Sequence, residues 1–211
     1  METKRQIVLD ELISFCREFV SEPYLAYAEH GVHARFYHRL SLAFEARSMP
    51  RTGGYNGLAV DLIQKEYRAA GDLGRSRCAS WDICVLASPL RSVGSGIIGT
   101  AGYDRLSIDS IVEFGLNATV DHLRDDIERL DHPGCEAEGK FIVHLQRLSD
   151  GTSRRDLSPR SVNRVDAEDL PDLLLGTSGL TLFLATSSTI EPLANGLWVI
   201  ESGQMAASRL L

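Results

Sequence analysis

Trp81-Asp82-Ile83-Cys84-Val85-Leu86 and Ile111-Val112-Glu113-Phe114 are two apolar runs of strand length, and each holds one acidic residue. A carboxylate placed among aliphatic side chains costs free energy unless a metal, a proton or a charged partner offsets it. Two such acids on successive strands point to a cation site. After the second run the period changes: Val120, Leu123, Ile127 and Leu130 recur at helical steps, and Asp131-His132-Pro133-Gly134 stops the helix. Phe141 to Leu148 returns to strand.

Before these runs, Leu58 to Tyr67 reads as a strand, so Leu58–Tyr67, Ser80–Ala87 and Ser110–Phe114 form an expected meander of three. Gly71-Asp72-Leu73-Gly74 and the stretch from Pro89 to Tyr103 are expected connectors, and Ser48 to Gly57 is a loop by its Pro and Gly content. Two helices precede the loop. Ile7, Val8, Leu12, Phe15, Phe19 and Val20 mark the first, from about Gln6 to Val20. Ser21-Glu22-Pro23 offers an N-cap and a first-turn proline for the second. Its stripe is Leu25, Ala28, Val32, Phe36, Leu40 and Phe44, running to about Arg47 despite Gly31.

The C-terminal part is polar and arginine-bearing from Gly151 to Arg164, with a short helix expected at Asp166–Leu175. Strands are expected at Leu180–Ala185 and Leu197–Ile200, with Asn195-Gly196 as a turn signal between them. The expected organisation is one domain over residues 1–211, with a core at about 23–148 and an extension at about 149–211.

The 211 residues carry a formal charge of −7, which gives no general attraction to a polyanion. Lysine is scarce, at Lys4, Lys65 and Lys140 only, and arginine supplies the remaining positive charge. Cys16, Cys78, Cys84 and Cys135 lack the close spacing of a zinc knuckle and read as buried free thiols. No run approaches the roughly 18 apolar residues of a membrane span, and the start is unlike a signal peptide. The expectation is a cytoplasmic protein without a membrane partner.

The order helix, three strands, helix, strand, with Asp82 on the second strand and Glu113 on the third, resembles the PD-(D/E)XK nuclease superfamily. The resemblance covers somewhat over half the chain. It implies an α/β fold with an αβββαβ restriction-endonuclease-like core, flanked here by an N-terminal helix and the C-terminal extension. It further implies that Asp82 and Glu113 bind Mg2+ or Mn2+ and that metal-activated water hydrolyses a phosphodiester of DNA or RNA. Glu29 lies on the second helix, where several branches resemble this chain in carrying a metal-approaching glutamate.

Physical chemistry supports the same site. Mg2+ takes hard oxygen ligands and commonly one or two protein carboxylates, and residues opposed on adjacent strands have Cβ atoms about 4.5–5.5 Å apart. Glu66 is a third candidate ligand, and alternation puts Gln64, Glu66 and Arg68 on one face with Lys65 on the other. The departure from the superfamily is Glu113-Phe114-Gly115, where glycine stands in place of the lysine. Asn117 is about 6.6 Å further along the strand and too short to substitute. Lys140 and Lys65 remain as candidate bases, since an arginine stays protonated.

Each feature also has a structural reading. Asp82 and Glu113 pair with Arg68, Arg77 or Arg105 in that version, while Glu29, His30, His33 and His38 cover the wet side of a helix. Asp121, Arg124, Asp125, Asp126, Glu128 and Arg129 face water as a mixed charge run, and His122 and His144 receive no role. Gly94-Ser95-Gly96-Ile97-Ile98-Gly99 fits a dinucleotide fingerprint, but no helix follows it, so it reads as a loop that closes over substrate. The rival to a nuclease is a non-catalytic module of the same fold that binds protein or nucleic acid. A homodimer and a place in a larger complex both stay open.

Overall fold

The Thr3 side chain accepts a hydrogen bond from the Gln6 N–H at 3.1 Å and starts helix α1, Lys4–Ser21. The computed structural model describes residues 2–68, 80–98, 101–150, 156–190 and 195–211. Helix α1 buries Ile7, Val8, Leu12, Phe15, Cys16, Phe19 and Val20, the stripe its spacing predicts. Helix α2 is Glu29–Ala46 and buries Val32, Phe36, Leu40, Ala43 and Phe44. It begins later than Ser21-Glu22-Pro23 suggests. Ser21 stays in α1, its hydroxyl donating to the Arg17 and Glu18 carbonyls, so it is not available as a cap for α2. Leu25 is exposed outside the stripe, and an extended Ala28 precedes the helix.

The sheet grows outward from the two acid-bearing strands. β1 (Thr52–Tyr55) and β2 (Leu58–Asp61) form a separate hairpin, followed by β3 (Ile63–Arg68), β4 (Ser80–Leu86), β5 (Ser92–Ile98), β6 (Ala101–Leu106) and β7 (Ile108–Leu116). Helix α3 (Val120–Asp131) leads to β8 (Gly139–Leu148), and a 3-10 turn with the short α4 (Leu170–Leu173) leads to β9 (Leu180–Ser188), β10 (Gly196–Glu201) and β11 (Ser208–Arg209). The main sheet has seven strands in the order β11-β10-β9-β8-β7-β4-β3. β3, β4 and β7 are antiparallel, β7, β8 and β9 are parallel, and β10 and β11 return to antiparallel. The chain is therefore a mixed α/β protein. The C-terminal strands expected as an extension continue this sheet beyond β8.

Both faces are covered. Ile83, Val85, Val112, Phe114, Phe141 and Val143 pack beneath α1 and α2, where Phe114 meets Phe36 and Phe15 at ring-centroid distances of 5.3 and 5.9 Å. Cys84, Ile111, Ile142, Leu182 and Leu184 pack beneath α3 and α4 with Leu123, Ile127 and Leu130. Burial on two sides explains why β8 reads as a nearly continuous apolar run.

Three expectations for strands and loops are corrected. Leu58–Tyr67 is two strands, and Ser48–Gly57 contains β1. Asn56 and Gly57, with φ of +49° and +78°, make the two-residue turn between paired Tyr55 and Leu58. Pro89–Tyr103 is not a connector: β5 pairs with β6, and Gly94 and Gly96 lie within that pairing instead of forming a loop over substrate. Asn195 lies in the β9–β10 connection as its turn signal suggests, its side chain accepting from the Ser188 N–H, and Gly196 already pairs with Thr186. Gly71–Gly74, Gly99, Arg77, Cys78, Arg154 and Arg155 lie outside the described residues. Cys16, Cys84 and Cys135 are buried free thiols. Among the described residues, no helix is long and apolar enough to cross a membrane.

Candidate functional site

The β4–β7 ladder pairs Cys84 with Ile111 and Ile83 with Val112, so the next opposed positions are Asp82 and Glu113. There the Asp82 carboxylate takes the place of a ladder bond, accepting from the Phe114 N–H at 2.8 Å. The two carboxyls also share a hydrogen bond that favours a proton on Glu113. Burial pushes Glu113 well above the usual carboxylate range, and the Asp82 charge adds to this. Asp82 is also raised by burial, partly offset by the Phe114 N–H and by Glu113.

Alternation places Glu113 on the α3 side of the sheet. Arg129 Nη2 lies 3.0 Å from Glu113 Oε1 and 2.7 Å from Asp126 Oδ1, while its guanidinium stacks 5.3 Å from the Trp81 ring centre. Glu113 Oε1 accepts no hydrogen bond, so its contact with Arg129 is ionic and misaligned. The cation beside Glu113 is thus Arg129, and neither Arg68 nor Arg105 lies within ion-pair distance of it. Asp121, Arg124 and Glu128 face water as the charge run suggests, but Asp126 is buried and Arg129 half-buried, which corrects that reading for these two. Both flank the Leu123–Ile127–Leu130 stripe, and that adjacency was the available signal.

His144, opposite Gly115 in the β7–β8 ladder, is buried on the same side with both ring nitrogens lacking a hydrogen-bond partner. Burial, then the charge of nearby His122, lowers its pKa to about 4. A Cβ on Gly115 would sit 2.9 Å from the Ala118 Cβ and 3.5 Å from His144 Nδ1. The site expected to hold a lysine is therefore filled by its neighbours.

A second cluster lies on the α2 side. His33 is 2% exposed, and neither of its ring nitrogens has a hydrogen-bond partner. Nε2 is 3.4 Å from Asp82 Oδ2 and 4.0 Å from Glu29 Oε1, and Nδ1 is 3.7 Å from Glu66 Oε1. Glu29 accepts from the Leu116 N–H and is raised by burial and by Asp82. Helical steps of three and four put Glu29, His30 and His33 together; His30 and His38 face water as expected, whereas His33 turns in toward the sheet with Glu29 half-buried beside it.

Glu66 lies between the Lys65–Ile83 and Tyr67–Trp81 pairs of β3 and β4 with φ of +55°. The charges of both Glu66 and Lys65 act on His33. Lys140, paired with Ile111, acts on Cys135 and lies two strand positions from the row of Glu113 and Ile142. Of the sequence-derived candidates, Asp82, Glu113, Glu66 and Glu29 converge with Lys65 nearby, and Lys140 stands apart.

Comparison of the chain with family models, curated proteins and solved structures finds no match.

Proposed function

We propose that this protein is a metal-dependent phosphodiester hydrolase acting on DNA or RNA, with Mg2+ or Mn2+ held by Asp82 and Glu113 and with Glu29 adjoining. The observation that carries this reading is the meeting of two opposed, proton-raised carboxyls, one buried and one half-buried, at the end of the β4–β7 ladder. Such a pair calls for a proton or a cation, and oxygen donors suit either ion. The path α2-β3-β4-β7-α3-β8, with its antiparallel meander and parallel final strand, is the order expected of a restriction-endonuclease-like core. The bound ion would polarise the phosphate and lower the pKa of the attacking water.

Within this reading Asp82 is the more available ligand, and Glu113 joins when Arg129 turns its guanidinium toward a substrate phosphate, a geometry guanidinium groups favour. His144 is a neutral ring in the space left by Gly115 and can accept a proton there. Lys65 is the nearer of the two candidate lysines, while Lys140 stands two strand positions from the row of Glu113. Buried thiols at Cys16, Cys84 and Cys135 suit the reducing cytoplasm proposed as the compartment. A homodimer or a larger complex belongs to the same proposal.

A second reading has its own support. Arg129 already neutralises Glu113, and Gly115 is packed too closely for a catalytic lysine; both favour a non-catalytic module that binds nucleic acid or protein. The test is cleavage of labelled single-stranded DNA, duplex DNA and RNA with Mg2+ or Mn2+, comparing wild type with Asp82→Asn plus Glu113→Gln. Cleavage lost in a folded variant supports the hydrolase. A wild type that cuts no substrate overturns it in favour of the binding module.

A further inference from the structure

The ring of His33 lies between two groups of acids and is bonded to neither. Its Nδ1 faces Glu66, whose Oε1 is 3.7 Å away, and its Nε2 faces Asp82 Oδ2 at 3.4 Å. A fully buried imidazole with two unpartnered nitrogens is costly. His30, one turn back on α2, and Glu66 each bring a ligand atom into the same space, so that one donor from His30, His33 and Glu66 lies within 4.8 Å of the others. His30 and Glu66 are exposed, so this space opens to solvent. The Ser80 hydroxyl donates to Glu66 Oε2 at 3.0 Å, leaving Oε1 directed at His33.

We infer that His30, Nδ1 of His33 and Glu66 form a binding site for a first-row transition ion of the zinc class. Two imidazoles and one carboxylate with a solvent-facing side are the donor set of three-ligand zinc sites that keep a position for water. The opposite ring nitrogen of a metal-bound histidine characteristically donates to a carboxylate, and Asp82 stands where His33 Nε2–H would do so. Donors around a tetrahedral ion lie about 3.3 Å apart when each is about 2.0–2.1 Å from the metal. The remaining closure falls to the exposed side chains of His30 and Glu66. The opposing charge is Lys65, which is exposed and free to turn outward. The left-handed backbone at Glu66, uncommon outside glycine, turns this carboxylate toward α2.

The ligands of this site are distinct from the Asp82–Glu113 pair, which it meets only through Asp82 behind His33, and it stands or falls without hydrolytic activity. The test is titration of the chelator-treated full chain with Zn2+ by calorimetry and with Co2+ by visible absorption. Wild type is expected to take up one Zn2+ and to give the intense Co2+ d–d bands of a low-coordinate site with nitrogen donors. His30→Ala and Glu66→Gln alter exposed side chains, and each is expected to weaken uptake by about tenfold or more. Glu113→Gln, one of the two changes that test the hydrolase, is expected to leave Zn2+ uptake unchanged. No uptake by wild type, or uptake that both His30→Ala and Glu66→Gln leave intact, overturns the site. So does uptake abolished by Glu113→Gln alone, which would put the ion in the other cluster.

Discussion

Glu113 and Asp126 on the α3 side of the sheet enclose Arg129, while Glu29 and Glu66 approach a histidine on the α2 side, with Asp82 reaching it from the strand end beside Glu113. The acids of the two clusters come within one strand spacing of each other at Asp82 and Glu113, and they meet their charge differently. On the α3 side the chain brings its own permanent cation at 3.0 and 2.7 Å. Among the described residues, no arginine or lysine lies within ion-pair distance of Glu29, Glu66 or Asp82; their close partner is His33, whose pKa burial lowers. An internal guanidinium can close a site, whereas carboxylates around a neutral imidazole leave room for an ion from solution. The contrast locates where external cations should act.

Removing Arg129 should have the largest effect. Arg129→Met leaves Glu113 and Asp126 buried without their cation and should cost about 3–5 kcal/mol in urea unfolding. Adding Glu113→Gln should recover part of that loss. Full additivity of the two changes would mean that Arg129 and Glu113 do not interact, and the contrast between the clusters would break.

His144 should give the α3 side a marked acid lability. Its folded pKa of about 4 lies below the ordinary 6.5, so the unfolded chain takes up the proton first as the pH falls. The stability linked to His144 is complete above about pH 6.5 and is lost down to about pH 4, amounting to about 3 kcal/mol. His144→Gln should flatten unfolding free energy against pH across that window, and an unchanged slope would show that the ring takes up its proton equally in the folded and unfolded chain.

Gly115→Ala comes next. Its Cβ would meet Ala118 at 2.9 Å, and overpacking of this kind costs about 1–3 kcal/mol. A thermal shift should register it. A neutral result would mean that the β7–α3 corner yields, and that a lysine at this position could be accommodated.

The smallest effect has the opposite sign. Asp82 has a folded pKa raised chiefly by burial, so the native state holds that proton longer than the unfolded chain, and stability falls as the pH rises through the folded value. Asp82→Asn should therefore stabilise the ion-free protein at neutral pH, with the difference vanishing in acid. The amide oxygen can still accept from Phe114. A destabilised variant at neutral pH would show that Asp82 already has its cation.

Much of the element order could be read directly from the chain, because apolar period reports which side of an element is covered. Leu123, Ile127 and Leu130 gave α3, and the strands around Asp82 and Glu113 lie close to where their runs place them. The second helix began late because nothing in Ser21-Glu22-Pro23 reveals that α1 will keep Ser21. The β1–β2 hairpin was foreshadowed by Asn56-Gly57. For β5 and β6 no such alternation was visible.

The acids themselves were conspicuous in sequence, since a charge inside an aliphatic run needs explanation wherever the chain folds. Their partners were not. Arg129 and His33 look like ordinary helix-surface residues until α3 and α2 settle on opposite faces of the sheet, and the reversal of Glu66 toward His33 depends on a single left-handed residue. Local pattern is set by short-range burial and can be inferred from the chain. Which charges meet across α2, β3, β4, β7 and α3 is decided by long-range packing, and only the folded protein brings His33 between Glu66 and Asp82.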